Sequence, residues 1–273
     1  MKKTFLNGIL IVAVAILISS CNNAPKKDQV IDSDKHEAKT EIKKDCDHIH
    51  WSHHGEEEGP ENWKNLCDGF ISCGGEAQSP INIITRNTTS ENNLTAFEFN
   101  YTSSKVDIIN NGHTVQFNTS GENAVIINDK EYKLLQFHYH THSEHTIDGN
   151  YYPIEVHFVH KHSDEDYAVL GVMFEEGEEN ELFSKYLDHF PTTKGDFASE
   201  DMIELKGLFP SDLSYYYYSG SLTTPPCSEV VNWYVLKSPL KASKEQIEKF
   251  AQILHDNYRP VMPLNNREVL SYN

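Results

Sequence analysis

The chain has 273 residues, of which 38% are hydrophobic and 11% aromatic, so it holds enough apolar material for a folded core and wholesale disorder is excluded. With 41 acidic residues against 23 Lys and Arg, the formal charge is −18. This charge argues against a nucleic-acid partner, because such binding depends on neutralising phosphates, and it favours a small or neutral one.

The first twenty residues have the pattern of an export signal. Two lysines come before the apolar run 9–18, and small residues follow it. This order is typical of a cleaved secretory signal, and the run is shorter than a membrane-spanning helix needs. The residues directly before Cys21 resemble a bacterial lipoprotein signal, which predicts removal of residues 1–20 and lipid attachment at Cys21. An ordinary cleaved signal with an incidental cysteine is the alternative.

The next segment is predicted to be a tether. Residues 21–45 are dominated by Lys, Asp, Glu, Asn and Gln and contain few aliphatic residues, so they lack the apolar surface for a core. Residues 46–273 are then predicted to form one globular domain. We expect an exported protein, periplasmic or at the cell surface, which touches a membrane only through lipidated Cys21. The oligomeric state stays open, with a homodimer among the options.

The cysteines fit export. With Cys21 set aside for lipid, four remain: Cys46, Cys67, Cys73 and Cys227. In an oxidising compartment they allow two disulfides in any of three pairings. No C-x₂-C pair occurs, which disfavours a cysteine-based zinc site.

Most of the domain is predicted to be β-strand. β-Branched and aromatic segments alternate with Asn-Gly, Ser-Gly and Asp-Gly turn signals. The predicted strands are 81–84, 97–101, 106–110, 114–118, 124–127, 133–140, 154–162, 167–175 and 230–236. Helices are predicted at 179–189 and 243–255, where Ser243 and Gln246 have the spacing of a capping box. This pattern predicts a mainly β (α+β) single domain, built on a large, mostly antiparallel, twisted sheet with a few peripheral helices.

A histidine pattern lies in the predicted strand 133–140. Side chains alternate between the two faces of a strand, so Gln136, His138 and His140 share one face. The strand 154–162 carries Glu155 and His157 on one face and could supply a third imidazole. Three histidines leave a tetrahedral zinc with one open position, as in catalytic sites. Gln136 and Glu155 could accept hydrogen bonds from the ligand rings.

The alternation of side chains along a strand does not by itself decide which histidines form the site. His140 and His142 are also two residues apart, and His145, His160 and His162 lie nearby in the sequence. A histidine-rich surface on an acidic chain is the alternative to any metal site.

Eight short motifs follow one another in a specific order along the domain. They are Gly59-Pro60-Glu61-Asn62-Trp63, Gln78-Ser79-Pro80-Ile81, Asn110-Asn111-Gly112-His113, Gln136-Phe137-His138-Tyr139-His140, Ser143-Glu144-His145-Thr146, Glu155-Val156-His157, Ser221-Leu222-Thr223-Thr224-Pro225-Pro226 and Asn257-Tyr258-Arg259-Pro260. In this order they resemble the α-class carbonic anhydrases over nearly the whole domain. Any one motif is weak, whereas eight collinear motifs make coincidence implausible.

The resemblance implies a zinc enzyme that reversibly hydrates CO₂ to bicarbonate and a proton, with Zn²⁺ as the cofactor and these small molecules as its partners. The zinc ligands it implies are His138, His140 and His157, with Gln136, Glu155 and the backbone carbonyl of Asn257 as their hydrogen-bond acceptors.

The resemblance also implies catalytic roles. Thr223 would accept a hydrogen bond from the reactive hydroxide and donate one to Glu144, while its backbone N–H faces the substrate. His113 would carry the proton, since an imidazole of ordinary pKa takes up and releases protons near neutral pH. The residues implied to contact the substrate are Val159, Val169, Leu222, Thr223, Thr224, Val231 and Trp233.

The same resemblance implies one disulfide, and the chain departs from the family pattern at two positions. It implies a Cys73–Cys227 bridge and leaves the other two cysteines of the domain to pair. His53 stands where the family has Tyr, which bears on proton transfer. Tyr167 stands at a usually aliphatic position, which bears on the width of the CO₂ entrance.

Two other functions are weighed. The first is a non-catalytic, carbonic-anhydrase-like binding module, which would result from the loss of a zinc ligand. The presence of all three histidines argues against this function. An exported zinc-binding protein is suggested by His48, His50, His53 and His54, and it would hold more than one tight zinc.

Overall fold

A computed structural model of the protein describes residues 45–273. The predicted signal peptide (1–20), the lipid site at Cys21 and nearly all of the tether (21–45) lie outside the described residues and remain predictions. Within residues 45–273, no helix is both long enough and apolar enough to cross a membrane.

Residues 45–273 form fifteen strands and three α-helices. The strands β1 to β15 are Asn82–Ile83, Thr89–Ser90, Glu98–Asn100, Ser103–Asn110, Val115–Thr119, Ala124–Ile127, Lys130–His140, Thr146–Ile147, Ile154–Ser163, Asp166–Glu176, Gly195–Glu204, Tyr215–Gly220, Val231–Leu236, Leu240–Ala242 and Leu270–Tyr272. The helices α1 to α3 are Trp63–Leu66, Glu181–Leu187 and Lys244–Leu254. Short 3-10 helices lie at Asp68–Gly74, Thr85–Asn87 and Leu205–Leu208.

One sheet of thirteen strands dominates the described residues. Its order is β11-β4-β5-β7-β9-β10-β13-β12-β15-β2, with β14 beside β10, β6 beside β7 and β3 beside β6. Neighbours pair antiparallel except at β10–β13, β10–β14 and β15–β2, which are parallel. Strands β1 and β8 form a separate parallel pair. The prediction of a large, mostly antiparallel sheet with few helices is confirmed.

The two faces of the central strand β7 hold different groups. Phe137 and Tyr139 are fully buried in the main core, whereas the histidines between and beside them point to the opposite face. In β9 every side chain from Ile154 to His160 is buried, as expected for a strand covered on both sides. The sheet therefore packs a core on one side and builds a polar site on the other.

Helix α3 begins where the capping pattern predicts. The Ser243 hydroxyl accepts from the backbone N–H of Gln246 (3.3 Å), and the Gln246 side chain accepts from the N–H of Ser243 (3.0 Å). His255 closes the helix in a left-handed conformation. Helix α2 is shorter than predicted. Strands β11 and β12 were not predicted, because β11 is an acidic edge strand without clear alternation and β12 is a run of tyrosines.

Both disulfides form. Cys46 bonds to Cys67 and Cys73 bonds to Cys227, with Cα–Cα separations of 5.6 and 4.8 Å. The second bridge packs on the buried Trp63 ring. It ties the N-terminal part of the domain to the loop between β12 and β13, which also carries Thr223.

Candidate active site

The strand register brings three histidines together. In the antiparallel pair β7–β9, His138 lies directly opposite His157, and His140 lies opposite Glu155. One ring nitrogen from each of His138, His140 and His157 lies within 4.8 Å of the others. A single cation can therefore contact all three rings, and the register explains why the third ligand is so distant in sequence.

This geometry decides between the rival histidine sets. His142 is turned away and its ring lies against Tyr258 and Tyr151, with centroid distances of 4.5 and 5.1 Å. Among residues 45–273, the one other group that could hold a metal is His145, Glu155 and His157. It shares His157 with the first group and belongs to the same site.

Two of the rings have a hydrogen-bond acceptor behind them, and the third has a carboxylate nearby. Nδ1 of His138 donates to Gln136 Oε1 (2.8 Å), and Nδ1 of His140 donates to the carbonyl of Asn257 (2.7 Å). Nε2 of His157 lies 2.9 Å from Glu155 Oε1. These contacts orient the rings, so that the opposite nitrogens of His138 and His140 face the common centre.

The residues present fit a divalent metal such as zinc. Burial lowers the pKa of His140 to about 4 and that of His138 well below its usual range, so both rings are neutral near pH 7, as metal ligation requires. The inward-facing Nε2 of His140 is buried and has no hydrogen-bond partner among the described residues. Such an atom is costly unless something binds it, and a cation is the partner that suits three converging neutral imidazoles.

Glu144 lies beside the histidines and is fully buried. Its Oε1 accepts from the backbone N–H of Arg259 (2.8 Å), and its Oε2 lies 3.6 Å from Nε2 of His140. Burial raises the pKa of Glu144 to about 6, while the neighbouring His157, Thr223 and Arg259 oppose that rise. Among the described residues, Oε2 of Glu144 is buried without a hydrogen-bond partner, so it is free to accept from the nearby Thr223 hydroxyl.

Glu155 organises more of the site than the sequence indicated. It accepts from the backbone N–H groups of Glu144 (2.8 Å) and His145 (2.9 Å) and from Nδ1 of His145 (2.8 Å). Although burial raises it, the pKa of Glu155 is held well below its usual range by His145 and His157. The carboxylate is therefore ionised within a fully buried network.

That network continues through His145, Tyr218 and Ser79, whose mutual contacts were not predicted. Nε2 of His145 lies 2.6 Å from the Tyr218 hydroxyl, which donates to Ser79 Oγ (2.9 Å). The burial of His145 beside a metal ligand indicates its role only once the pairing of β7 and β9 is known.

His113 sits on a tight turn at the rim of the site. Asn111 Oδ1 accepts from the N–H groups of His113 (2.9 Å) and Thr114 (3.0 Å) and fixes the turn. The His113 ring stacks on Trp51, with centroids 3.8 Å apart and planes at 13°. Burial lowers the pKa of His113, and Lys194 and His50 lower it further. Trp51 was not predicted to contact the site.

A cavity of about 130 Å³ connects these groups. Its described lining includes His113, His138, His140 and Thr224, together with His53. The predicted proton carrier and two of the predicted ligands therefore face one space. Burial lowers the pKa of His53 to about 3, so this ring is a neutral neighbour of the cavity.

The predicted substrate wall forms one apolar cluster. Val159, Val169, Val231 and Trp233 are at most 8% exposed and pack together, with Leu222 and Tyr167 against them. The strand register causes this, because Val169 lies opposite Val159 on one side and Trp233 on the other. The Trp233 ring lies 4.8 Å from His157, so the apolar surface reaches the metal centre.

The N-terminal histidines do not assemble into a second metal site. Among residues 45–273, no group that could hold a metal includes His48, His50, His53 or His54. Nδ1 of His50 instead lies 3.1 Å from Glu58.

Comparison with known proteins gives a consistent answer. Residues 58–273 match the sequence profile described as eukaryotic-type carbonic anhydrase. The chain is 41% identical to a carbonic anhydrase of Neisseria gonorrhoeae over 82% of its own length and 88% of that protein. It is 36% identical to one of Pectobacterium atrosepticum over 94% of its length and 98% of that protein.

Solved structures agree. The α-carbonic anhydrase of Thermovibrio ammonificans, determined with the inhibitor sulfanilamide, has 41% identity and a TM-score of 0.78, over 81% of this chain and 99% of that one.

Proposed function

The chain belongs to the eukaryotic-type, or α-class, carbonic anhydrase family, and from that premise we propose how its residues carry out the zinc-dependent, reversible hydration of CO₂ to bicarbonate and a proton. The observation that carries the proposal is the convergence of ring nitrogens from His138, His140 and His157 within 4.8 Å of one another.

These three histidines hold the zinc ion. In carbonic anhydrases generally, bound zinc lowers the pKa of a coordinated water to about 7 and so provides hydroxide at neutral pH. Gln136, the Asn257 carbonyl and Glu155 keep the rings in place. Fixed ligands reduce the reorganisation that binding and chemistry would otherwise cost.

Thr223 orients the attacking hydroxyl. In this proposal its own hydrogen goes to Oε2 of Glu144, which is buried and lacks another hydrogen-bond partner among the described residues, so the Thr223 oxygen acts as an acceptor towards the cavity. The attacking group must then donate its hydrogen to Thr223, which points its lone pair at the carbon of CO₂. His157, the hydroxyl of Thr223 and the N–H of Arg259 favour the charged form of Glu144 and oppose the effect of burial on its pKa.

The apolar cluster receives CO₂. The gas is small and uncharged, so it needs an apolar recess beside the reacting group and no charged clamp. Val159, Val169, Leu222, Val231 and Trp233 provide this recess next to His157. Thr224 lines the cavity beside His138 and His140, where the polar product has a hydrogen-bond partner.

His113 carries the proton out. It lines the cavity that His138 and His140 also line, and it is only half-buried, so its ring reaches both the interior and solvent. An imidazole accepts the proton on one nitrogen and releases it to buffer. Stacking on Trp51 holds the ring at this position.

The protein acts outside the cytoplasm in this proposal. Two disulfides are typical of an oxidising compartment. We infer export through residues 1–20 and membrane attachment through lipidated Cys21, with residues 21–45 as the tether. Metabolic labelling with a radioactive fatty acid tests the anchor, since Cys21→Ser should abolish incorporation and leave the catalytic domain active.

The central experiment measures zinc content and CO₂ hydration on the same purified sample. We expect about one zinc per chain and a hydration rate that sulfanilamide inhibits. His138→Ala should remove both zinc and activity, whereas the matched control His48→Ala, an exposed histidine, should retain both. Zinc without hydration would favour a binding module, and zinc lost on His48→Ala would favour an exported zinc-binding protein.

A further inference from the structure

A second cavity lies beside the zinc cavity, and the proposed reaction does not use it. Its volume is about 240 Å³. His53, His113 and Thr114 line both cavities, so the ring assigned to proton transfer borders both spaces. A ligand in the second cavity would therefore contact the proton carrier without reaching the zinc ligands. We call this space the Lys194 cavity.

The lining of the Lys194 cavity is basic in a strongly acidic protein. Lys194 and four histidines line it, and none of its described lining residues is Asp or Glu. Across the whole chain, by contrast, 41 acidic residues face 23 Lys and Arg. Thr192 and Thr193, which carry hydroxyl groups, also line it. This combination is suited to a small oxyanion.

Lys194 is available for such a ligand. The lysine ion pairs found within residues 45–273 involve other lysines and leave Lys194 out. Its stem lies across the turn that precedes His113, where a Cβ on Gly112 would come within 2.0 Å of Lys194 Cε. Gly112 also has a φ of +91°, which favours glycine at this position. The close approach puts the ammonium group beside the proton carrier.

Electrostatics show that Lys194 acts on His113. After burial, Lys194 is the next cause that lowers the pKa of His113, followed by His50. A bound anion would offset both the ammonium charge and the loss of water, and would stabilise the protonated ring. His53 contributes a buried Nε2 that has no hydrogen-bond partner among the described residues, which is a further polar atom at the boundary between the cavities.

We propose that the Lys194 cavity binds a small oxyanion between Lys194 and His113, and that hydrogen phosphate or bicarbonate held there receives the proton from the His113 ring. In this transfer the N–H bond of the imidazolium breaks, its electron pair stays on nitrogen, and an O–H bond forms on the anion. The acceptor role rests on the proposed function, whereas the binding site does not.

Binding is tested on the zinc-loaded full chain with its zinc site closed by sulfanilamide. Inorganic phosphate and, in a separate arm, bicarbonate are titrated while the ring resonances of the histidines are followed by NMR. We expect saturable shifts centred on His113. Lys194→Gln should weaken the affinity about fivefold or more, and Lys194→Arg should keep it. The two arms show which of the anions the cavity holds.

Lys244→Gln is the matched control, because it removes one lysine charge at the other end of α3. That end is about 15 Å from Leu254, which lines the cavity. Absence of saturable binding, or equal weakening by Lys194→Gln and Lys244→Gln, would overturn the proposal.

A kinetic experiment tests the acceptor role. The hydration rate should saturate with phosphate in the wild type, and Lys194→Gln should raise the half-saturating phosphate concentration. With imidazole as the buffer, which does not need a cationic site, this shift should be absent. An equal shift in both buffers would contradict the acceptor role. The binding experiment needs no turnover, so loss of hydration alone would count against the proposed function and not against the site.

Discussion

Glu155 Oε1 lies 2.9 Å from Nε2 of His157, and both side chains are essentially inaccessible to solvent. We propose that Glu155 sets the orientation and basicity of the third ligand through this contact. We therefore expect Glu155→Gln to weaken zinc binding by about 10–100-fold, as loss of the charged acceptor behind a ligand usually does. Competition with a metal-binding dye measures the affinity.

The control for this change is Glu165→Gln, which alters the same residue type in the exposed turn between β9 and β10. It should leave zinc affinity unchanged. An unaltered affinity in Glu155→Gln would show that the contact with His157 does not support the metal.

Thr223 should matter for rate and not for metal retention. Thr223→Ala removes the hydroxyl that we propose bridges the cavity to Glu144, so we expect a loss of about 100-fold in kcat/KM with zinc content intact. Thr223→Ser, which keeps the hydroxyl, should recover most of the rate. Stopped-flow hydration assays with parallel metal analysis decide the matter, and zinc loss in Thr223→Ala would assign the residue a structural role instead.

His113 should limit turnover only when buffer is scarce. His113→Ala removes the ring that borders the zinc cavity, so kcat should fall about tenfold or more in weak buffer while kcat/KM changes little. Added imidazole should restore part of the rate. His162→Ala, an exposed histidine in β9, is the control. Full rate without imidazole would move the proton-transfer role to another group.

We expect the buried His160 to make the free energy of unfolding depend on pH, independently of the metal centre. Its buried ring donates from Nδ1 to the Phe158 carbonyl (2.9 Å), and its Nε2 contacts the Tyr101 hydroxyl. Burial lowers its pKa from 6.5 to about 4, so the unfolded chain takes up the proton first as the pH falls. The contribution of His160 to the free energy of unfolding is complete above pH 6.5 and declines towards pH 4, by about 3 kcal/mol in total.

Denaturant unfolding of the wild type and of His160→Gln at several pH values isolates this effect. The zinc ligands contribute equally to both proteins and cancel in the difference. The free energy of unfolding should fall more steeply with acid in the wild type. Parallel curves would mean that His160 is protonated in the folded protein.

The two disulfides should differ in their contribution to stability. Cys73–Cys227 spans 154 residues and Cys46–Cys67 spans 21. Chain-entropy arguments then make the longer bridge more stabilising by about 2 kcal/mol. Unfolding of the two double Cys→Ser variants under identical conditions compares them, and a larger loss from the shorter bridge would contradict the argument.

Much of the site could be predicted from local sequence. The two-residue spacing of His138 and His140 puts them on one face of any strand, and the same alternation pairs Glu155 with His157. The apolar segments 154–162 and 167–175 are strands in the structure, as predicted, because β-branched and aromatic runs have few alternatives in a folded chain. The order of the motifs supplied the family.

The sequence alone determined which side chains share a strand face and which segments must be buried, because both follow from backbone periodicity and hydrophobicity. Only the tertiary structure decided that His138 faces His157, that Tyr218 reaches His145, and that Lys194 lies beside His113. These pairs are 19, 73 and 81 residues apart in the numbering. Contacts of this kind depend on strand register and loop path, which are set by the packing of the whole sheet and leave no local pattern in the sequence.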